Sequence, residues 1–377
     1  MKRSFQLSRR RFAQTLGVSA AYAALRPALA LSAPSPQSAA RTSSSAVIRL
    51  SSNENPYGPS PAAVRAMADA SSIVWRYPDE HADVLVETLA SLHDVASDNI
   101  LLGNGSGEIL KLAAASFTSP GRGLVAAEPT FEAIARHART ARAEVTAIPL
   151  TTDHRHDLAK MAEQPNHGLV YICNPNNPTA SITPRKEVRA FLANVRPETV
   201  VLVDEAYHHY VETNDYESVI PLVKDYPNLL VARTFSKIYG MAGLRCGYGV
   251  ADSRLISQMR AHQTWDSVNI MALAAAIASV RDKAQVEQGR QRNNEVKKYV
   301  YSELERLDFK FIPTHANFLM IDLRRTARPI ITQLRGHQVE VGRVFPAMPN
   351  FLRVTIGTKP QMEGFFAAFR QVMASEA

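Results

Sequence analysis

Four stretches of this sequence carry residue types able to do chemistry, and each closes a short apolar run. Leu101-Leu102-Gly103-Asn104-Gly105-Ser106-Gly107-Glu108 is a Gly-rich turn that opens a helical pattern. Its free amides and the positive end of the helix dipole would hold a phosphate. No Gly-Lys-Ser/Thr follows, so it is not a nucleoside-triphosphate loop. Val200-Val201-Leu202-Val203 ends in Asp204-Glu205-Ala206-Tyr207. The two acids could handle magnesium and water in a nucleotidase, but the missing phosphate loop argues against that. Asp204 could also cap the next helix. The third reading sets Asp204 against a pyridinium nitrogen, with the Tyr207 phenol beside the neighbouring ring oxygen.

Arg233-Thr234-Phe235-Ser236-Lys237 puts a lysine just past another apolar run. Alone, Lys237 reads as a solvated charge. The hydroxyls before it, the glycines at 240, 243 and 247 and the anion-binding Arg245 give it another meaning. Cys173-Asn174-Pro175-Asn176-Asn177-Pro178-Thr179 is a rigid, proline-bearing turn from which an amide could reach a ring oxygen.

The elements that must position these groups alternate. Helical spacing of apolar residues covers 61–70, 81–92 and 107–117. Strand-like runs cover 123–127, 144–150, 168–173, 200–203 and 229–234. Such alternation predicts an α/β layer with a mainly parallel sheet, whose ligands bind at the carboxyl ends of the strands. Long helices are expected at 268–280 and 282–307, the second bridging to a smaller unit with strands at 318–323 and 352–356 and helices at 328–337 and 361–374.

In this order the motifs resemble the fold-type I pyridoxal-phosphate aminotransferases, in particular the histidinol-phosphate aminotransferase branch. The resemblance runs from about Leu50 to the C-terminus. It also includes Asn53-Glu54-Asn55-Pro56-Tyr57-Gly58-Pro59-Ser60, Arg76-Tyr77-Pro78, Glu128-Pro129-Thr130-Phe131, Gly243-Leu244-Arg245, Ala316-Asn317-Phe318 and Leu352-Arg353-Val354-Thr355-Ile356-Gly357. It implies a large domain with a mainly parallel seven-stranded sheet at 76–280, a smaller α+β domain at 281–377 and an N-terminal arm at 47–75.

The resemblance further implies that pyridoxal 5'-phosphate is carried as a Schiff base on Lys237, which then acts as general base. Asp204 would keep the ring nitrogen protonated, Asn177 and Tyr207 would bond the ring oxygen, and Phe131 would stack on the ring. Gly105, Ser106, Gly107, Thr234, Ser236 and Arg245 would surround the phosphate. Tyr77 would reach in from a second subunit of a homodimer. Arg353 would bind an anionic substrate group with Asn55, Tyr57 and Asn317 nearby. The implied reaction moves an amino group from an amino acid or related amine to a 2-oxo acid. A decarboxylase or lyase on the same scaffold, and a cofactor-binding paralogue without turnover, are the alternatives.

Several positions depart from that family. Gly107 stands where an acid is common, and 341–346 is shifted, leaving Arg343 as an optional second anion ligand. His208-His209 replaces a more aromatic or acidic pair. If they continue a strand they face opposite sides, a poor metal site, and simple exposure is expected.

The net charge of +8 invites a nucleic-acid reading, but its location opposes it. Residues 1–40 hold Lys2, Arg3, Arg9, Arg10, Arg11 and Arg26 and no acid, so removing a segment that ends near Ala30 leaves +2. Ser8-Arg9-Arg10-Arg11-Phe12 resembles a twin-arginine export signal, and Ala28-Leu29-Ala30 a cleavage site. Arg26 and Pro27 interrupt the apolar stretch between them, which makes it a poor membrane span. The expectation is a signal at 1–30, a linker at 31–46, use of the twin-arginine machinery and an exported or periplasmic enzyme, or a cytoplasmic one where the signal is not used. Cys173 and Cys246 sit in apolar contexts and are expected as buried free thiols rather than a bridge.

Overall fold

The computed structural model describes residues 47–165 and 167–375. The proposed signal and linker at 1–46 lie outside these residues.

Seven strands form the central sheet: β2 (Ile100–Gly103), β3 (Gly123–Glu128), β4 (Val145–Pro149), β5 (His167–Cys173), β6 (Val200–Asp204), β7 (Leu229–Thr234) and β8 (Gly247–Ala251). Their order is β2-β8-β7-β6-β5-β3-β4. β8 runs antiparallel to both neighbours, and every other pairing is parallel. β5, β6 and β7 are buried along their whole length, as expected of central strands covered on both faces. They were legible as unbroken apolar runs for that reason.

Helices α1 (Pro61–Ala70), α2 (Asp79–His93), α3 (Ser106–Phe117), α4 (Ala133–Thr140), α5 (Leu158–Ala162), α6 (Arg185–Asn194), α7 (Ser253–Arg260) and α8 (Ile270–Arg281) flank this sheet. α1 starts where sequence rules put it: Ser60 accepts from the Ala63 amide and proline takes the first turn. α8 is apolar almost all round because it lies between other helices and the sheet. One apolar cluster gathers Ile172, Val203, Val231 and Ala272; another gathers Tyr171, Leu202, Leu230 and α3 residues such as Ile109.

Asp282 leaves helical geometry (φ −84°, ψ 85°), and α9 (Lys283–Arg306) begins directly after it. β9 (Phe311–Ile312), β10 (Phe318–Asp322) and β12 (Phe351–Thr355) form a three-stranded antiparallel sheet. With α10 (Ala327–Gly336) and α11 (Lys359–Ser375) it encloses its own core of Leu319, Ile321, Leu352, Val354, Phe365 and Phe369. The arm joins this unit through its first strand. β1 (Ile48–Leu50) pairs parallel with β11 (Val339–Val341), and Leu50 enters the same core.

No helix among the described residues is long and apolar enough to cross a membrane.

Candidate active site

The parallel strands bring their carboxyl ends to one edge of the sheet, and the antiparallel β8 brings its start there. Gly103, Thr234 and Gly247 stand side by side in register. A cavity of about 390 Å³ opens at this edge. Its walls include Ser106, Gly107, Phe131, Asn177, Asp204, Tyr207, Thr234, Ser236, Lys237, Arg245, Arg343 and Arg353, residues from eight separate stretches of sequence.

One end of the cavity is built for a phosphate. Gly105 has φ +76°, and a Cβ there would lie 2.3 Å from Arg245 Nη2. A Cβ on Gly247 would lie 2.4 Å from the Ser106 amide nitrogen. Only glycine lets the guanidinium and the helix start approach this closely. Arg245 adopts a left-handed backbone (φ 61°) and donates from Nη1 to Ser236 Oγ (3.3 Å) and the Ala242 carbonyl (2.8 Å). Thr234 Oγ1 donates to Ser236 Oγ at 3.0 Å. Two hydroxyls, a guanidinium and the first amides of α3 therefore face one spot, which suits a phosphate dianion.

At the middle, Asp204 and Glu205 part company. Asp204 lines the cavity, whereas Glu205 forms a buried pair with Arg233 (Nη2 to Oε2, 2.6 Å) completed by Ser218 and the Val219 amide. The two acids therefore do not face one site. Asp204 Oδ2 accepts from the Tyr171 hydroxyl at 2.9 Å and Oδ1 from the Ala206 amide at 3.1 Å. Burial raises the Asp204 carboxyl to about 6, against the lowering effect of those two hydrogen bonds. Tyr171 is a functional contact the sequence reading missed. Only the register of β5 on β6, which pairs Cys173 with Asp204 and Tyr171 with Leu202, brings the phenol to that side.

Lys237 donates from Nζ to the carbonyls of Asn53 (3.0 Å) and Ser52 (3.3 Å). Burial, helped by the nearby Arg353 and Arg245 charges, pushes its amine down to about 8. Buried Tyr207 lies with its ring 5.5 Å from Lys237 Nζ. Asn177 is held from both sides. Asn176 Nδ2 donates to the Pro129 carbonyl and Thr130 Oγ1 donates to Asn176 Oδ1, locking the turn that carries Asn177 to the loop that carries Phe131. Arg353 Nη1 then donates to Asn177 Oδ1 at 2.8 Å, leaving the Asn177 amide hydrogens for the cavity.

The other end is cationic. Arg353 rises from β12, gives Nη2 to the Ser51 carbonyl (2.8 Å) and keeps a buried Nε with no partner among the described residues. Arg343 lies at the mouth, paired with Glu132 at 2.6 Å, with its side chain 52% exposed.

Five expected site residues do not line this cavity: Asn55, Tyr57, Tyr77, Asn317 and Gly105, the last standing behind the Arg245 guanidinium. Asn55 Nδ2 donates to the Ile238 carbonyl, and buried Asn317 donates to the carbonyls of Asn53 and Glu54. Both amides fasten the arm instead of facing the cavity. Tyr57 is partly exposed, with Arg292 over its ring. Tyr77 is 82% exposed on the surface of its own chain. The exposure expected for His208 and His209 is also corrected. The chain leaves β6 and turns through a 3₁₀ segment at His208–Tyr210, which half-buries both rings against Tyr216 and Tyr239. Burial and the nearby Arg233 hold both imidazoles well below their usual range. Cys173 and Cys246 are free and buried, as expected.

The model of the family "Aminotransferase class I and II" matches residues 45–369. The chain belongs to that family. It is 42% identical over 333 residues to a histidinol-phosphate aminotransferase of Moorella thermoacetica, covering 87% of this chain and 86% of that one. A histidinol-phosphate aminotransferase of Symbiobacterium thermophilum is 40% identical over 331 residues, with 87% and 91% covered. The crystal structure of histidinol-phosphate aminotransferase from Sinorhizobium meliloti in complex with pyridoxal-5'-phosphate superimposes with a TM-score of 0.82 at 25% identity, covering 87% and 91%. This aminotransferase is an enzyme of the transaminase class, its fold is the expected fold-type I α/β architecture, and its cofactor is pyridoxal 5'-phosphate. The glycine-permitted phosphate cradle and the buried Asp204 carboxylate fit that group.

Proposed function

We propose that the enzyme moves an amino group from an amine bearing an anionic group to a 2-oxo acid, as a homodimer outside the cytoplasm. The observation that carries the substrate reading is Arg353, whose buried Nε has no partner among the described residues. A buried guanidinium hydrogen without an acceptor costs stability, and a carboxylate or phosphate would supply one. Histidinol phosphate, named in the relatives, is the first donor to try. Export would separate the enzyme from a cytoplasmic biosynthetic route, so other anionic amines and amino acids belong in the same test.

Pyridoxal phosphate, when bound, supplies an aldehyde that carries the amino group and a ring that takes up the electron pair left at Cα. The chain's residues do the rest. Arg245, Ser236, Thr234 and the amides of Ser106 and Gly107 hold the phosphate. With the group bound, Asp204 would keep a proton on the ring nitrogen, Tyr207 and Asn177 would donate to the ring oxygen and Phe131 would cover the ring. Lys237 is the attachment point, and its neutral Nζ takes the substrate Cα proton. Its amine, lowered to about 8, is far easier to deprotonate at neutral pH than an ordinary lysine. Arg353 fixes the substrate's anionic group, with Arg343 at the rim.

Trp75, Tyr77 and Trp265 are 73%, 82% and 92% exposed, which favours a partner surface. Tyr77 would enter a neighbour's cavity there. Light scattering should give twice the chain mass, and a monomer that is fully active would refute the shared site. The arginine pair at Arg9 and Arg10 supports export. Replacing both with lysine should retain the protein in the cytoplasm, and unchanged export would contradict twin-arginine transport. The substrate reading is tested by a spectral screen of amino donors: anionic donors should convert the cofactor, and indifference to charge would overturn it.

A further inference from the structure

Asn53 sits where the arm crosses from the small sheet to the cavity. It is 1% exposed and holds a left-handed backbone (φ 54°), a conformation asparagine tolerates better than most residues. Its amide nitrogen donates to Thr355 Oγ1 at 2.9 Å, and its carbonyl accepts from Lys237 Nζ at 3.0 Å and Asn317 Nδ2 at 3.1 Å. Its side chain spans Thr355 Oγ1 (3.3 Å from Oδ1) and the Tyr207 hydroxyl (3.1 Å from Nδ2).

Proton counting fixes which end of the side-chain amide faces Tyr207. The Thr355 oxygen already accepts from the Asn53 main chain, so its own hydrogen needs an acceptor, and Oδ1 is the one beside it. Nδ2 must then donate to Tyr207. A phenol oxygen that accepts on that side has its hydrogen free for another partner. Among the described residues no acceptor takes that hydrogen, and Tyr207 lines the cavity.

We propose that Asn53 is a positioning residue that turns the Tyr207 hydroxyl into a hydrogen-bond donor aimed at the cofactor's ring oxygen, anchored in turn by Thr355 on β12. This rests on the cofactor placement proposed above. The same residue holds the Lys237 amine through its carbonyl, so one left-handed turn of the arm sets two groups of the site. The strain of that turn is the kind retained at functional positions.

The test uses Asn53→Gly, which keeps the left-handed backbone and removes the amide, alongside Tyr207→Phe, the double variant and Thr355→Val. Cofactor dissociation constants and the pH midpoint of the visible absorbance change of the loaded protein are measured. A donor to the ring oxygen favours its anionic form, so loss of donation raises that midpoint. Asn53→Gly should weaken cofactor binding by about tenfold or less and raise the midpoint by about half a unit. Thr355→Val should act in the same direction and less strongly. In the Tyr207→Phe background Asn53→Gly should add almost nothing to the midpoint. An unchanged midpoint in Asn53→Gly, or a shift that persists undiminished in the double variant, overturns the proposal. Wild-type protein that takes up no cofactor overturns the underlying placement, and this proposal with it.

Discussion

The two ends of the cavity are built differently. The phosphate end comes from short sequence motifs at strand ends, each carrying its own glycine or hydroxyl, and all fixed by one sheet. The anion-reading end is assembled from β12 and the neighbouring 341–346 segment together with the arm some 300 residues away in sequence, all attached to the smaller core. The first end can change little without losing the cofactor. The second can vary in which amine it accepts while the chemistry stays the same.

Lys237 stands where both ends meet, and its loss should have the largest effect. Lys237→Ala should lower transamination by roughly a thousandfold or more. After borohydride reduction, peptide mass spectrometry should find the cofactor on the Lys237 peptide of the wild type and on no peptide of the variant. The amine also makes a pH prediction for the cofactor-free protein. Its value falls from 10.5 to about 8 in the fold, so the unfolded chain binds more protons between those pH values. Stability should therefore rise as pH climbs from 8 toward 10.5, and Lys237→Met should remove that rise in denaturant titrations.

Arg353→Met sharpens the contrast next. It should lower kcat/KM for anionic donors by about a hundredfold, the scale of losing a charge-assisted pair. Cofactor affinity should change little, and a comparable loss of it would merge the two ends into one.

Tyr171→Phe probes the cofactor end alone. Removing its hydrogen bond lets the Asp204 carboxyl rise further above about 6. The acid limb of cofactor affinity should move up by about one pH unit, with donor preference unchanged. Arg343→Gln should have the smallest effect, a few-fold rise in KM for anionic donors, because the side chain is half exposed and already paired with Glu132.

The same division explains what could be read from the sequence. Asp204, Lys237 and the Gly105 turn were legible because each follows a short apolar run, and with Arg245 they stand in the order of a known family. Tyr171 was hidden, since it looks like one more core residue until β5 registers on β6. Asn53 was hidden too: its contacts with Tyr207, Lys237 and Thr355 span 154 to 302 residues of sequence. Asn55 and Asn317 were placed near the substrate by the family resemblance alone. Their amides hold the arm instead. His208 and His209 were misread because the strand rule was carried past Asp204, where the chain had already turned.

The most direct test of the account is a single-turnover half-reaction. Loaded wild type, Lys237→Ala and Arg353→Met are each mixed with amino donors matched in size but differing in charge, histidinol phosphate included, while cofactor absorbance and carbon dioxide are followed. Anionic donors should convert the wild-type cofactor to its amine form, leave it unconverted in Lys237→Ala, and lose their advantage over neutral donors in Arg353→Met. Carbon dioxide release without that conversion, or equal conversion by neutral and anionic donors, would contradict this reading.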